Sequence, residues 1–186
     1  DPALAREALA RAVQIEPNNP SARLALARLH AEAGDVATAK AEAGFVLKNA
    51  VDEAARARAA FMLGEMARFE SKAAEARQHY EIAQRIEDNL LSRNRSDPNA
   101  ARWFARARGR IAELDAAEGD SARARTGGEG ALAMLYACAS HAGETPELAA
   151  DIADAEMRMA AFDLDSGNAI NARRRLTASI QRYEAL

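Results

Sequence analysis

Three dipeptides recur at the same place in the same local pattern: Gly34-Asp35, Gly119-Asp120 and Gly167-Asn168. Each follows an alanine-rich amphipathic stretch, and a small residue comes four or five positions later. Ser71-Lys72 takes the same place in a fourth copy. Glycine ends a helix and Asp or Asn caps the next one, so each copy marks a turn between two helices. Recurrence at this spacing predicts a stack of helix–turn–helix repeats.

The composition also favours helices. Hydrophobic residues make up 49% of the chain but aromatic residues only 5%, because alanine is abundant. Alternation with a period of two residues is not sustained, so we predict no strand. The net charge of −3 gives no general attraction to nucleic acid or anionic lipid. The longest uncharged stretch, residues 130–140, is too short to span a bilayer, and we expect no membrane insertion.

Breaker residues divide the chain into about nine predicted helices. Residues 17–20 (PNNP) separate the first two, and Gly34 ends the second. The polar stretch 92–98 precedes a long pair, and Thr145-Pro146 opens another. The expected fold class is all-α.

The residues at these positions resemble the tetratricopeptide repeat (TPR) family, whose pattern is W-x2-L-G-x2-Y, A-x3-F-x2-A and then P over about 34 residues. Residues 63–67 (LGEMA) followed by 76–83 (ARQHYEIA) are the best single match. Weaker matches in the same phase cover nearly the whole chain: Ala5, Leu9, Ala12 and Pro17; Leu26, Ala27, His30, Ala39, Ala43 and Val46; Ala172, Leu176 and Ser179. The resemblance implies a right-handed α-solenoid.

The repeat length changes along the chain. The turn residues are 37 residues apart from Gly34 to Ser71, then 48 apart at both following steps. We therefore expect standard-length TPR-like repeats in 1–91, the first one partial, and longer-helix repeats in 92–186, within one continuous array. With residues 97–99 (DPN) followed by Trp103, the second half resembles the long-helix TPR arrays of bacterial signalling proteins. That resemblance implies a part of a larger bacterial protein.

The first helices of successive pairs line the concave side of a TPR solenoid. Carrying those positions over to this chain gives a partner-binding groove: Arg28, Arg58, Phe61, Glu65, Arg68, Phe69, Arg102, Arg106, Arg110 and Glu113. The same face includes Leu24, Glu32, Asp154, Met157 and Asp165. Phe61 and Phe69 are either anchors for a partner or core residues of their pair.

One part of this groove is basic. Arg102, Arg106, Arg110 and Glu113 share one helical stripe. Between Arg93 and Arg110 there are six arginines and one acid, Asp97. The stripe is either a surface for an acidic segment or a solvated helix face.

No constellation typical of an enzyme is visible. His30, His79 and His141 fall in different predicted helices without the paired spacing of metal ligands. Cys138 lies in an apolar run, where a buried inert thiol is expected. We expect no catalytic residue, metal or cofactor. Glycines at 127, 128 and 130 lie inside a predicted helix, so the segment 126–130 either kinks, breaks or admits an unusually close neighbour.

The sequence therefore predicts a non-enzymatic protein–protein interaction module that binds a peptide or protein segment in its groove. If the arginine stripe takes part, that segment is acidic. Two alternatives stay open: a structural spacer or self-association array, and nucleic-acid binding through the Arg93–Arg110 patch. If the first helix packs on a missing repeat, Leu4 and Leu9 expose an apolar end, which predicts a homodimer through the N-terminal repeat. The chain starts without Met, so we expect a truncated N-terminus. The compartment is open, with the cytoplasm slightly favoured.

Overall fold

Short turns divide the chain into helices, and a computed structural model shows where each begins and ends. It describes residues 2–186, without the side chain of Pro2. This part of the chain forms nine α-helices and no strand. They are α1 (Pro2–Ile15), α2 (Pro20–Glu32), α3 (Val36–Asn49), α4 (Glu53–Phe69), α5 (Ala73–Arg93), α6 (Pro98–Ala117), α7 (Ser121–Ala142), α8 (Pro146–Asp165) and α9 (Ala169–Glu184). The predicted all-α class of helix–turn–helix repeats is confirmed.

The recurrent turn residues end one helix and let the next one start. Gly34, Gly119 and Gly167 have φ angles of +82°, +85° and +75°, and Ser71 has +61°. In the first of these turns the amide of Asp35 donates to the carbonyl of His30 at 2.9 Å. The side chain of Asp35 then accepts a 3.1 Å hydrogen bond from the amide of Thr38, which caps α3. The same residue pair therefore closes one helix and opens the next.

Two compact units make up the chain, Asp1–Ile86 and Glu87–Leu186. In the first unit successive helices from α1 to α4 pack together, and in the second unit successive helices from α6 to α9 do so. The first helix of a pair also touches the first helix of the next pair, α2 with α4 in the first unit and α6 with α8 in the second. The division into 1–91 and 92–186, which follows repeat length and not contacts, stays a prediction.

Small residues bring the helices of the first unit close together. Its core contains Ala27, Ala39 and Ala43, packed with Leu63 and Met66. A Cβ at Gly64 would lie 2.6 Å from Cε1 of the buried Tyr80 ring, so only glycine leaves room for that ring. The glycine of the first helix and the large residue of the second helix thus fit each other within one pair.

The core of the second unit is built from larger side chains. Phe104, Leu132, Leu135, Ile152 and Met159 belong to one buried cluster. Helix α7 runs unbroken through its glycines. A Cβ at position 128 would lie 2.5 Å from the sulfur of Met159, and one at position 130 would lie 2.7 Å from the Arg108 guanidinium. Of the three options for 126–130, the structure shows the close neighbour.

Candidate functional site

An open cavity of about 390 Å³ lies between α2 and α4 in the first unit. Helices α2 and α4 are the first members of their pairs, which is where the sequence places a groove. The cavity is lined by Arg28, Ala31, Glu32, Gly34, Val36, Met62, Glu65, Met66, Arg68 and Phe69. It therefore brings together four of the predicted groove residues, Arg28, Glu65, Arg68 and Phe69, and adds Glu32 from the same predicted face.

The lining combines an apolar surface with charged groups. Ala31, Val36, Met62 and Met66 supply the apolar part. Met62 and Met66 lie one turn apart on α4 and so share a face. Methionine side chains are flexible and polarisable, and they adapt to apolar groups of different shape. The cavity is suited to a large apolar side chain of variable outline.

Two exposed ion pairs surround this apolar surface. Arg28 Nη1 lies 2.6 Å from Glu32 Oε1, and Arg68 Nη2 lies 3.3 Å from Glu65 Oε2. The rim carries two positive and two negative charges. Exposed pairs of this kind contribute about 1 kcal/mol or less, so a bound segment can exchange its own charges with them at little cost.

Phe69 stands at the end of α4 beside the cavity, with 82% of its surface exposed. An aromatic side chain at the edge of an apolar cavity is typical of a binding anchor. Phe61 differs, because it is half-buried and its ring lies 5.4 Å from the ring of Tyr80. Of the two aromatic residues that the sequence left open, Phe69 lines the cavity and Phe61 packs on the pair's own core.

Tyr80 also fixes one of the charged lining residues. Its hydroxyl donates to Glu65 Oε1 at 2.5 Å, while the other oxygen of Glu65 faces Arg68. Arg58, the remaining predicted residue of α4, is half-buried and does not line the cavity. The buried ring therefore positions a rim carboxylate, a link that no sequence spacing on α4 reveals.

The basic stripe of the second unit is held by an acid from another helix. Arg102 Nε donates to Asp151 Oδ2 at 2.5 Å, and Arg106 Nε donates to Asp151 Oδ1 at 2.7 Å. Asp151 lies on α8 and is 2% exposed. The guanidinium of Arg106 also lies 4.7 Å above the ring of Trp103. These arginines bridge α6 to α8, in addition to any contact with a partner.

The other two stripe residues form the next layer of the same surface. Arg110 Nη1 lies 2.9 Å from Glu113 Oε2, and Glu113 Oε1 lies 3.8 Å from Arg158 Nε. Burial lowers the pKa of Arg158 from its usual value, while the nearby Glu113 opposes that shift. The face between α6 and α8 is filled by paired charges, whereas the space between α2 and α4 stays open.

Sequence reasoning missed the contributors that come from other positions. Asp151 carries a signal, since it is an acid within the otherwise apolar run 148–153. Such an acid is expected to have a partner, although its spacing does not name Arg102 and Arg106. Met62 and Met66 also fit a helical stripe. Gly34 lies in the turn and Val36 begins α3, and their place beside the cavity depends on how that turn folds.

The described part of the chain offers little for other chemistry. No group of three His, Cys, Asp or Glu side chains within residues 2–186 could hold a metal ion. Burial raises the pKa of the Cys138 thiol, which is buried as expected, so its reactive thiolate form is disfavoured. None of the helices in the part described combines the length and apolarity of a membrane span.

Comparison with known proteins agrees with this architecture. A family model described as "Tetratricopeptide repeat" matches residues 1–61. Two crystal structures of MamA share the fold: one has 15% identity and a TM-score of 0.58 over 97% of this chain and 87% of that chain. The other has 15% identity and a TM-score of 0.56 over 96% of this chain and 81% of that chain. No curated protein matches the sequence significantly. Residues 1–61 thus match the tetratricopeptide repeat model, and the described part of the chain shares the helical-repeat fold of these structures.

Proposed function

We propose that this chain is a non-enzymatic interaction module, and that the cavity between α2 and α4 holds an apolar side chain of a peptide or protein segment. One observation carries the proposal: residues predicted to face a groove surround an apolar cavity of about 390 Å³. This volume lies at the lower end of the range of ligand-binding clefts and has room for one or two large side chains. Phe69, exposed beside it, provides the aromatic anchor.

The charged rim is suited to a polypeptide with mixed charge. Arg28 and Arg68 attract acidic residues beside the inserted side chain, and Glu32 and Glu65 attract basic ones. The proposal therefore allows an acidic partner but does not require one. The resemblance to TPR arrays supports a place within a larger bacterial protein.

The experiment selects peptides from a displayed random library on the immobilised chain and measures their affinity by fluorescence anisotropy. We expect the selected peptides to share one large apolar residue. Phe69→Ala should weaken binding about 30-fold, since truncating an aromatic anchor costs about 2 kcal/mol. Met62→Glu, which introduces a charge into the cavity, should weaken it at least as much.

Val51→Ala is the matched control. Val51 is a fully exposed apolar residue of the same unit and does not line the cavity. Its replacement should leave affinity within about twofold, since surface substitutions away from special features change little. If no peptide is selected, or if Phe69→Ala and Val51→Ala behave alike, the groove proposal fails and the spacer reading gains support.

Self-association is a second candidate, and α1 provides its supporting observation. Leu4 and Ile15 are exposed apolar side chains on that helix, whereas Leu9, which the sequence paired with Leu4, is half-buried. If they form a homodimer interface, sedimentation should show a dimer that Leu4→Asp dissociates. A monomer at high concentration would reject it.

The nucleic-acid alternative has weaker support. Asp151 offsets part of the charge of Arg102 and Arg106, which leaves a smaller basic patch than the sequence suggests. Binding through phosphate contacts would fall steeply with rising salt concentration.

A further inference from the structure

The cavity between α2 and α4 has a smaller equivalent in the second unit, where the ends of α6 and α8 meet the start of α7. The volume there is about 90 Å³, against about 390 Å³ in the first unit. Its lining residues are Ala116, Ser121, Ala124, Arg125, Phe162, Asp165 and Ser166. Each unit therefore contains a version of the same site, and the first unit has the larger one.

Counting from the turn residues aligns the two sites position by position. The counts run from Gly34 and Gly119 for the first turn, and from Ser71 and Gly167 for the second. Four positions line both sites. The pairs, first unit first, are Ala31 and Ala116, Val36 and Ser121, Met66 and Phe162, and Phe69 and Asp165.

A hydrogen bond between equivalent positions supports this alignment. Lys40 Nζ of α3 donates to Glu70 Oε2, just after the end of α4, at 2.8 Å. At the same two counts in the second unit, Arg125 Nη2 of α7 donates to Ser166 Oγ, just after the end of α8, also at 2.8 Å. The two sites are therefore equivalent in structure as well as in sequence.

The inner residue of the site differs between the units. It is Phe162 in the second unit and Met66 in the first. The ring of Phe162 packs against the buried core of its unit. A Cβ on Gly128 would lie 3.2 Å from Cε2 of this ring and 2.5 Å from the sulfur of Met159, so ring and sulfur lie over the same glycine. The second unit thus fills its site from inside with an aromatic ring beside a methionine.

The first unit has the surroundings for such a ring but no ring inside. Met62 and Met66 bring two thioether groups to the cavity. At the outer positions, Phe69 stands where the second unit has Asp165, and Val36 stands where it has a serine. Polar outer residues suit a site that is filled from inside. Apolar outer residues suit a site whose apolar occupant enters from outside.

We propose that the occupant of the cavity between α2 and α4 is an aromatic side chain of the partner segment. This inference rests on the proposed function, which requires only an apolar side chain. The sulfur atoms of Met62 and Met66 make favourable contacts with an aromatic ring that an aliphatic group does not make. The ring of Phe69 adds an aromatic pair in an offset or edge-to-face arrangement. The partner's ring takes the part that Phe162 has in the second unit.

The first test compares three versions of a fluorescein-labelled peptide selected from the displayed library. Its apolar anchor residue is made phenylalanine, leucine or cyclohexylalanine, which is close to phenylalanine in size but has no π system. We expect the selected anchor to be aromatic. We expect the phenylalanine version to bind about tenfold tighter than each of the other two, because only it gains the sulfur and ring contacts.

The outcomes separate this inference from the proposed function. Selected peptides with an aliphatic anchor, or equal affinity of the phenylalanine and cyclohexylalanine versions, would overturn the aromatic preference while the groove proposal stands. If no peptide is selected, the groove proposal fails and the inference fails with it.

The second test fills the cavity from inside. Met66→Phe places a ring where the second unit has Phe162, and it should weaken binding of the phenylalanine peptide at least about tenfold. Because Met66 is buried, the change is also made together with Ala43→Gly, which reproduces the space at Gly128. Circular dichroism checks that both variants are folded.

Val51→Phe is the matched control, because it adds the same ring at a fully exposed position outside the cavity. It should change affinity less than about twofold. If the folded Met66→Phe variants bind the peptide as tightly as the wild type and Val51→Phe do, the ring does not enter this cavity and the inference fails. If neither variant folds, the comparison of the three peptides decides.

Discussion

Arg102 and Asp151 are 49 residues apart, and the arginine donates a 2.5 Å hydrogen bond to the buried carboxylate. Arg106 donates to the other carboxylate oxygen, so one acid of α8 holds two arginines of α6. This relationship changes how the basic stripe is understood. Its arginines hold two repeats together, whereas the first unit leaves the corresponding space open.

Replacing Asp151 should therefore destabilise the second unit. Asp151→Asn leaves Arg102 and Arg106 without their shared counter-charge, and because both arginines are partly exposed the expected cost is about 1–3 kcal/mol. Urea unfolding followed by the fluorescence of Trp103, the single tryptophan, reports on this unit. Asp165→Asn, at an exposed position of the same helix, should change stability by about 0.5 kcal/mol or less. Equal effects of the two variants would show that the bridge contributes little.

The contact between Gly64 and Tyr80 predicts opposite effects for two glycine-to-alanine changes. Gly64→Ala places a methyl group 2.6 Å from the buried ring and should cost about 1–3 kcal/mol, as overpacking does. Gly44→Ala adds a methyl group with no atom within 4 Å, in the middle of α3. It should stabilise the chain by about 0.5–1 kcal/mol through helix propensity. Urea unfolding followed by circular dichroism measures both, and a stabilised Gly64→Ala would contradict the packing described here.

Asp163 predicts a pH dependence. Burial raises the pKa of its carboxyl, but hydrogen bonds from Arg125 and Arg175 outweigh burial and hold the pKa below the usual 3.8. A depressed native pKa contributes stability above the unfolded-state value, and this contribution is lost as pH falls through the native value. The stability gap between wild type and Asp163→Asn should thus be constant from about pH 5 to 7 and shrink below about pH 4. A gap that grows on acidification would reverse the sign of this account.

Local signals in the sequence were enough to predict where the helices begin and end. Gly34-Asp35 and its equivalents punctuate the chain through backbone conformation and capping, which depend only on neighbouring residues. Residues 63–67 and 76–83, the best match to the repeat pattern, fall on α4 and α5, which meet at Gly64 and Tyr80. Local rules succeed here because a repeat packs mainly on its neighbours.

The candidate site was only partly accessible from the sequence. Arg28, Glu65, Arg68 and Phe69 line the cavity because their positions follow the repeat period. The partner of the arginine stripe could not be found in this way. Its acid comes from α8, and the pairing depends on how α6 and α8 approach each other, which no spacing along one helix specifies.

The most direct test of the proposed binding site is an NMR titration. The methionine methyl groups of the chain are isotope-labelled, and a selected peptide is added in increasing amounts. The chain has five methionines. Met62 and Met66 line the cavity, while Met134, Met157 and Met159 lie in the second unit and serve as internal controls. The account predicts that the methyl signals of Met62 and Met66 shift together and saturate, and that Phe69→Ala weakens this response. Shifts confined to the second unit, or no shift at saturating peptide, would contradict the claim that this cavity binds the partner.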